Sequence, residues 1–262
     1  MELGLKGKHA IVGGASQGIG YAIARLLAGE GAQVAMVARR SEPLAEAAAR
    51  IHAETGSRTL AISADIRKAA DCERIVDEAV AAFGGVELLI NNDGAPPLGL
   101  LADFDDVAWD KAVQQNLMSV VRLCRGALPH FASRNGGRII NVTALSAIQP
   151  IPRFGLSVAT WAAVLGYAKT LSLEVATQRI TINTICPGRI ATGRLAKVFG
   201  DPGQASALDD TQREALLGGI PMRRIGSPDE IAGLVAFLAS PYGGYITGSV
   251  FHVDGGRRAS LL

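Results

Sequence analysis

The stretch HAIVGGASQGIGYAIARLL, residues 9–27, decides the fold. Its first part, His9–Val12, is a short apolar run that ends at glycines, a pattern typical of a buried β-strand. Tyr21 to Leu27 then repeats apolar residues at helical spacing. Glycines between a strand and a helix permit a tight turn and a close backbone approach, and the helix N-terminus presents N–H groups to an anion. The stretch therefore predicts either a phosphate-binding loop or a tight turn without a ligand.

The rest of the chain continues the alternation of strand and helix. Because the strands are short, nearly continuous apolar runs, they predict a parallel sheet covered by helices on both faces. The predicted strands cover residues 9–12, 33–38, 59–63, 86–90, 138–142, 181–185 and 249–253. The predicted helices cover residues 21–27, 46–54, 70–83, 107–133 with a break at Pro129, 157–177 and 228–238.

One segment, Gly188 to Ser227, interrupts this alternation. It is polar, contains Gly and Pro, and has one short predicted helix near Gln212 to Leu217. Long irregular inserts in α/β proteins are usually functional, and ligands bind at the carboxyl ends of the strands. The segment of about residues 188–227 is therefore predicted to be a substrate lid.

Composition limits the possible classes of protein. The 262 residues have a net charge of +2, 48% hydrophobic content and 19% charged residues, which predicts one folded domain over residues 1–262. Near-neutral charge argues against a nucleic-acid binder, and the apolar runs are too short to span a membrane. Cys72, Cys124 and Cys186 are far apart, which predicts free thiols and no metal site. With no signal-peptide pattern at the start, we expect a cytoplasmic protein.

The residues at the end of the second predicted strand indicate which ligand the glycine loop would bind. Ala38 is followed there by Arg39 and Arg40, where a carboxylate would bind the ribose 2′-hydroxyl of NAD. A guanidinium can instead pair with the 2′-phosphate of NADP. These residues favour NADP(H) over NAD(H), and the alternative is a solvated loop.

At this point the sequence resembles the short-chain dehydrogenase/reductase family, in particular members similar to 3-oxoacyl-ACP reductase, over nearly its whole length. The resemblance implies a Rossmann-like three-layer sandwich, a bound NAD(P) and a homotetramer built as a dimer of dimers. The matching motifs are Gly14–Gly20, Asp65–Ile66, Asn91–Gly94, Asn116, Pro187–Gly188 with Thr192, Ile246–Gly248 and Val253–Gly256. The cofactor-binding residues that it implies are Gly14, Ala15, Ser16, Gln17, Gly18, Ile19, Gly20, Asp65, Ile66, Asn91, Pro187, Gly188, Ile190 and Thr192, in addition to Arg39 and Arg40.

The resemblance fails at the residues that carry the family's chemistry, a Ser, a Tyr and a Lys. Ungapped alignment places Ala144, Ser157 and Trp161 at these positions, and no Tyr-x-x-x-Lys occurs in the chain. The remaining catalytic candidates are Ser157 itself, Ser146 and the family's Asn, here Asn116. Each has a structural alternative: Ser157 as a remnant of lost function, Ser146 as a cap, and Asn116 as the residue that bends its helix.

Charged residues add two further hypotheses. Asp93 stands where the family usually has Ala, and is either an acid/base group or a solvated loop residue. Arg153, Arg189 and Arg194, with Trp161, are candidate substrate contacts; the arginines either bind an anionic substrate or belong to a solvated lid. The apolar face of the helix that carries Trp161 is either a subunit contact or part of the core.

Three functions follow from this combination. The first is an NADP(H)-dependent oxidoreductase that acts on a small carbonyl or alcohol compound, or a related C=N or C=C substrate, through a non-standard active site. The second is a non-catalytic NADP-binding sensor or partner subunit. The third is a dehydratase or isomerase that works without hydride exchange. A small-molecule substrate is expected for both enzymes.

Overall fold

The computed structural model describes residues 2–199 and 210–260. Its strands are β1 His9–Gly13, β2 Gln33–Ala38, β3 Thr59–Ser63, β4 Leu88–Asn92, β5 Gly137–Val142, β6 Ile180–Pro187 and β7 Val250–Val253. Its helices are α1 Gly18–Gly29, α2 Ser41–Thr55, α3 Ala69–Phe83, α4 Asp106–Ala112, α5 Ser119–Ser133, α6 Gly155–Val175, α7 Gly193–Phe199, α8 Asp210–Leu217 and α9 Pro228–Ala239. Short 3₁₀ turns cover Leu101–Asp103, Leu145–Ala147, Ala176–Gln178 and Pro241–Gly243.

The seven strands form one parallel sheet in the order β3-β2-β1-β4-β5-β6-β7. The chain runs outward from β1 to β3, then crosses back to place β4 on the other side of β1. The connections from β1 and β4 therefore diverge, which opens a crevice at the carboxyl ends of these strands. The predicted seven-stranded parallel sheet and Rossmann-like fold are confirmed.

Side chains of successive strand residues supply two apolar cores, one on each face of the sheet. In β1, Ala10 and Val12 pack with α1, α2 and α9, whereas Ile11 packs with α3, α5 and α6. All three side chains are at most 1% exposed. Because strand side chains alternate between faces, a strand buried on both sides has to be apolar throughout. This explains the continuous apolar runs in the sequence and confirms helices on both faces.

The helix predicted over residues 107–133 is irregular at a different place from the one predicted. Pro129 lies inside α5, which continues to Ser133, so the predicted break is wrong. The irregularity lies earlier, where Val113–Met118 form a π-helical turn between α4 and α5. Such turns insert one extra residue into a helix and are frequent at functional sites. Here the turn contains Asn116, the residue that the family resemblance associated with a helix bend.

Strand β4 begins and ends two residues later than predicted. The apolar run from Val86 to Ile90 suggested the earlier bounds, but pairing with β5 extends the strand through Asn91 and Asn92. Asn91 stays inside the sheet because its side chain donates a hydrogen bond to Asn141 Oδ1 at 2.8 Å. Cross-strand amide pairing thus allows polar residues in a buried strand that composition alone assigns to a loop.

The insert after β6 contains two helices. Helix α8 was predicted close to its observed bounds, whereas helix α7 was not predicted. Residues 200–209 of the insert lie outside the described part of the chain. Within residues 2–199 and 210–260, none of the helices combines the length and the apolar character that crossing a membrane requires.

Candidate functional site

The glycine loop turns tightly against the end of β4. Gly14 and Gly18 both have φ near +60°, a left-handed conformation that favours glycine. A Cβ on Gly14 would lie 2.6 Å from Asn92 Nδ2, which itself donates to the Gly13 carbonyl at 3.0 Å. No side chain caps the first turn of α1. The loop therefore holds its shape by backbone fit and presents the uncapped N–H groups of α1 to an anion.

A groove of about 590 Å³ runs from this loop across the ends of β1, β2 and β4. Arg39 and Arg40 line one part of it and Thr192 another, so residues from distant parts of the chain meet there. The predicted cofactor residues that line this groove are Gly14, Ser16, Gln17, Gly18, Ile19, Arg39, Arg40, Ile66 and Thr192. Pro187, Gly188 and Ile190 line the adjoining cavity described below.

Four predicted cofactor residues line neither the groove nor the adjoining cavity. Ala15 is buried, and a Cβ on Gly20 would overlap the carbonyl oxygen of Gly14, so both residues serve the packing of the loop against α1. Asp65 is tied to Arg67 by hydrogen bonds of 2.6–3.1 Å, which hold the pKa of its carboxyl below the usual range. Asn91 belongs to the asparagine pair inside the sheet. These residues support the groove and are not on its surface.

The groove opens into a second, more apolar cavity of about 370 Å³ under the insert. Ile19, Asn92, Asp93, Thr192 and Arg194 line both spaces, so the two are continuous. The other side chains around the cavity are mainly apolar and come from the turn after β5, from α6 and from the insert; they include Ala144, Leu145, Ile151, Phe154, Trp161 and Leu195. A molecule in the groove would adjoin a small molecule in the cavity beside these shared residues, which include Asp93.

Asp93 is not the solvated loop residue that one interpretation of the sequence suggested. Its Oδ2 atom is buried, and no described group donates a hydrogen bond to it. Burial raises the pKa of the carboxyl to about 6, although the Gly94 N–H and the charge of Arg39 act in the opposite direction. A carboxyl with this pKa exchanges protons near neutral pH.

The three predicted catalytic residues are all buried, and one of them lines the cavity. That residue is Ser146, and its buried Oγ has no hydrogen-bond partner among the described residues. Asn116 does not line the cavity and donates to Thr160 Oγ1 at 2.8 Å, which anchors the π-helical turn to α6. Ser157 is 1% exposed and is not among the residues that line the cavity. The structure therefore brings Ser146, and not Ser157, to the place where a substrate would bind.

Of the predicted substrate contacts, Trp161, Arg189 and Arg194 line the cavity. Arg189 donates to the carbonyls of Ala215 and Leu216, which ties β6 to α8.

Two arginines differ from the predicted set in their position relative to the cavity. Arg153 is exposed on the loop before α6 and is not among the residues that line the cavity. Arg257, which the sequence analysis missed, lines the cavity instead. The signal was present, since Arg257 directly follows the turn Asp254–Gly256 at the end of β7.

Comparison with known proteins agrees with this architecture. The family model described as enoyl-(acyl carrier protein) reductase matches residues 14–258. The chain is 37% identical to nodulation protein G of a Rhizobium species over 96% of its own length and 97% of the relative's. It is also 37% identical to 3-oxoacyl-(acyl-carrier-protein) reductase of Vibrio cholerae, over 97% and 98% of the two lengths. Bovine dehydrogenase/reductase SDR family member 4 is 35% identical over 98% of this chain and 89% of its own.

Among solved structures, L-sorbose reductase from Gluconobacter frateurii, complexed with NADPH and L-sorbose, superposes with a TM-score of 0.93. The two chains are 33% identical and are covered completely. Fold and site thus define a doubly wound α/β protein with a Rossmann-like fold and a glycine-loop groove. Within that class, the chain belongs to the short-chain dehydrogenase/reductase family of oxidoreductases.

Proposed function

We propose that this protein is an NADP(H)-dependent oxidoreductase that acts on a small carbonyl or alcohol substrate, or on a related C=N or C=C compound. The observation that carries this proposal is the continuity of the glycine-loop groove with the apolar cavity, with Asp93 lining both. Hydride transfer requires two molecules held next to each other in a fixed orientation. Two adjoining spaces of these sizes, one polar and one mainly apolar, meet that requirement.

The residues of the groove fit NADP(H) better than NAD(H). Gly14 and Gly18 leave room for a pyrophosphate at the start of α1, and Arg39 and Arg40 line the groove after β2. A guanidinium there pairs with a 2′-phosphate, whereas NAD would leave it without an anion. The NADPH in the sorbose reductase complex supports the same assignment. When bound, the cofactor supplies or accepts the hydride.

The proposed active site is non-standard. If the family alignment holds, Ala144, Ser157 and Trp161 stand where the family has its Ser, Tyr and Lys. Ala144 has no hydrogen-bonding group, and Trp161 has an N–H donor but no charge with which to lower a neighbour's pKa. Ser157 is buried and is not among the residues that line the cavity. A different group therefore has to hold the proton that carbonyl reduction consumes.

Asp93 is the residue that we assign to this role. In its neutral form it gives its carboxyl proton to the carbonyl oxygen while hydride adds to the carbon, which leaves an alcohol and the Asp93 carboxylate. Water then returns a proton to the carboxylate. We assign to Ser146, which lines the cavity and whose Oγ has no hydrogen-bond partner among the described residues, the donation of a hydrogen bond to the carbonyl oxygen. The pKa of about 6 keeps part of the Asp93 population neutral at physiological pH.

Two measurements test the proposal. Calorimetric titration with NADPH and NADH should give micromolar binding of NADPH and much weaker binding of NADH. NADPH oxidation is then followed over a panel of aldehydes, ketones, imines and enones. Tight NADPH binding without oxidation of any of them would favour the non-catalytic alternative. Product formation without a cofactor requirement would favour the dehydratase or isomerase, and failure to bind either nucleotide would overturn the assignment of the groove.

The role of Asp93 has its own test. Asp93→Asn should lower the rate of reduction at pH 6 by about 10²-fold or more, the usual contribution of a positioned acid. In the wild type the rate should fall as pH rises through about 6, because the neutral acid disappears. NADPH affinity should change less than about threefold in the variant. An unchanged rate and pH profile would assign the proton to water or to the substrate.

A further inference from the structure

The cavity contains two guanidinium groups close enough to influence each other. Arg189 and Arg257 both line it, and the positive charge of Arg257 contributes, after burial, to lowering the pKa of Arg189. Like charges placed together in a partly buried cavity repel, so the arrangement is costly without a bound anion. Arg189 is held in place by the carbonyls of Ala215 and Leu216.

Arg257 differs from Arg189 in its hydrogen-bond contacts. The Asp254 carboxylate accepts hydrogen bonds from the backbone N–H groups of Gly256 and Arg258 and so closes the turn after β7. Burial lowers the pKa of Arg257, and the charge of Asp254 acts in the opposite direction. Among the described residues, none is recorded in a hydrogen bond with the Arg257 guanidinium. This side chain is therefore free to bind a ligand.

We propose that Arg257, supported by the charge of Arg189, forms an anion subsite, and that the substrate is a small carboxylate-bearing carbonyl or alcohol compound. This inference rests on the proposed function and adds the substrate class to it. The guanidinium fork of Arg257 would take the carboxylate, while the apolar walls around Trp161 and Phe154 would take the carbon chain.

The mainly apolar lining of the cavity favours a carboxylate over a phosphate, because a phosphate dianion costs more to desolvate than a monoanion. Arg194 also lines the cavity, but its guanidinium donates to the carbonyls of Ala95 and Pro96. A phosphate dianion would also face Asp93. The volume of about 370 Å³ suits a short branched acid, with the reacting carbon towards Asp93 and the groove.

The test measures binding and needs no turnover. The sequence has two tryptophans, so Trp109→Phe leaves Trp161, which lines the cavity, as the only tryptophan, and its fluorescence is excited selectively at about 295 nm. This chain is titrated with 3-methylbutanoate, with its neutral amide 3-methylbutanamide and with isobutyl phosphate. The carboxylate should bind at least about tenfold more tightly than the amide, as expected for a charge-assisted hydrogen bond.

Substitutions then assign the effect to Arg257. Arg257→Met should weaken carboxylate binding about tenfold or more without changing amide binding, and Arg257→Lys should restore part of it. Arg258→Met is the matched control, because the Arg258 guanidinium contacts His252 and Ser260 and does not line the cavity. It should leave carboxylate binding within about twofold. Thermal melting of each variant confirms that it is folded.

Several results would overturn the inference. These are equal binding of acid and amide, no saturable change with the carboxylate, or no effect of Arg257→Met. Tighter binding of isobutyl phosphate than of the carboxylate would replace the substrate class with a phosphate ester. A failure of the proposed function would appear elsewhere, as absent NADPH oxidation with carboxylate binding intact.

Discussion

Asp93 carries a carboxyl group whose neutral form is favoured by its surroundings, and this has a cost for the folded state. The folded protein holds the pKa near 6, above the ordinary value of 3.8. Between these values the folded state binds more protons than the unfolded state, so wild-type stability falls as pH rises from about 4 to 6. If Asp93 is the catalytic acid, this loss of stability is a consequence of the raised pKa that keeps its carboxyl protonated.

Asp93→Asn should therefore stabilise the protein at pH 7, by up to about 3 kcal/mol in the free energy of unfolding. The difference from the wild type should shrink as pH falls through 6 and vanish near 4. Urea unfolding at several pH values measures it. Variant and wild type of equal stability at pH 7 would show that Asp93 ionises normally.

Asp71 is a control for which we expect the opposite change in stability. Its carboxylate accepts a hydrogen bond from the Asp65 N–H at 2.7 Å and contacts Arg74, which lowers its pKa. Asp71→Asn should destabilise the protein at pH 7, and the difference should disappear as the pH falls below the ordinary range of a carboxyl. If both Asn variants shifted stability in the same direction, burial would not explain the behaviour of Asp93.

Arg39 and Arg40 are the residues on which the proposed preference for NADP(H) depends. Removing both guanidinium groups with an Arg39→Ala, Arg40→Ala variant should weaken NADPH binding about tenfold or more, because two charge-assisted contacts to a phosphate are lost. NADH affinity should change less than about threefold. Arg50→Ala, which removes a guanidinium that lies over the Tyr21 ring outside the groove, is the control for a general loss of positive charge. Equal losses for both nucleotides would contradict the assignment.

The close packing of the glycine loop against α1 depends on the lack of a side chain at Gly20. A Cβ on Gly20 would overlap the carbonyl oxygen of Gly14, so loop and helix can approach each other only with glycine there. Gly20→Ala should lower the free energy of unfolding by about 2–4 kcal/mol, with loss of NADPH binding. Calorimetric melting and titration of the same samples measure both effects.

Gly233 in α9 is the matched control for this prediction. It is exposed, and a Cβ there would meet no atom within 4 Å. Gly233→Ala should stabilise the protein by about 0.5–1 kcal/mol through helix propensity. If Gly20→Ala behaved in the same way, the tight approach of loop and helix would not limit the residue at position 20.

The whole molecule is expected to be a homotetramer, a prediction that follows from the family resemblance. On α6, the apolar residues Trp161 and Val164 are buried in the chain's own core. Leu173, on the same helix, is 70% exposed. It is the residue of α6 that a twofold-related helix would cover.

Light scattering should give the mass of four chains for the wild type, and Leu173→Glu should reduce it to that of dimers or monomers, because a buried unpaired charge is costly. Met222→Glu, at a similarly exposed apolar side chain of the insert, should leave the mass unchanged. A wild type that is monomeric at micromolar concentration would contradict the prediction.

What could be predicted from the sequence were the features that depend on local spacing. Short continuous apolar runs and helical apolar patterns determined the strands, the helices and their order, and the glycine spacing from Gly14 to Gly20 determined the loop. These patterns are local because backbone hydrogen bonding and side-chain packing within one element extend over a few residues. The parallel sheet and the position of Arg39 at a strand end followed from them, and the family resemblance implied the Rossmann-like fold.

Only the tertiary structure decided which side chains meet. Arg257 reaches the cavity and Arg153 does not, although both lie near predicted site segments. Ser157 is buried away from the cavity, and Asp93 is enclosed at the junction of groove and cavity. The physical reason is that burial and mutual distance depend on how strand ends far apart in the chain pack together. That packing determines both the pKa of Asp93 and the neighbours of Arg257.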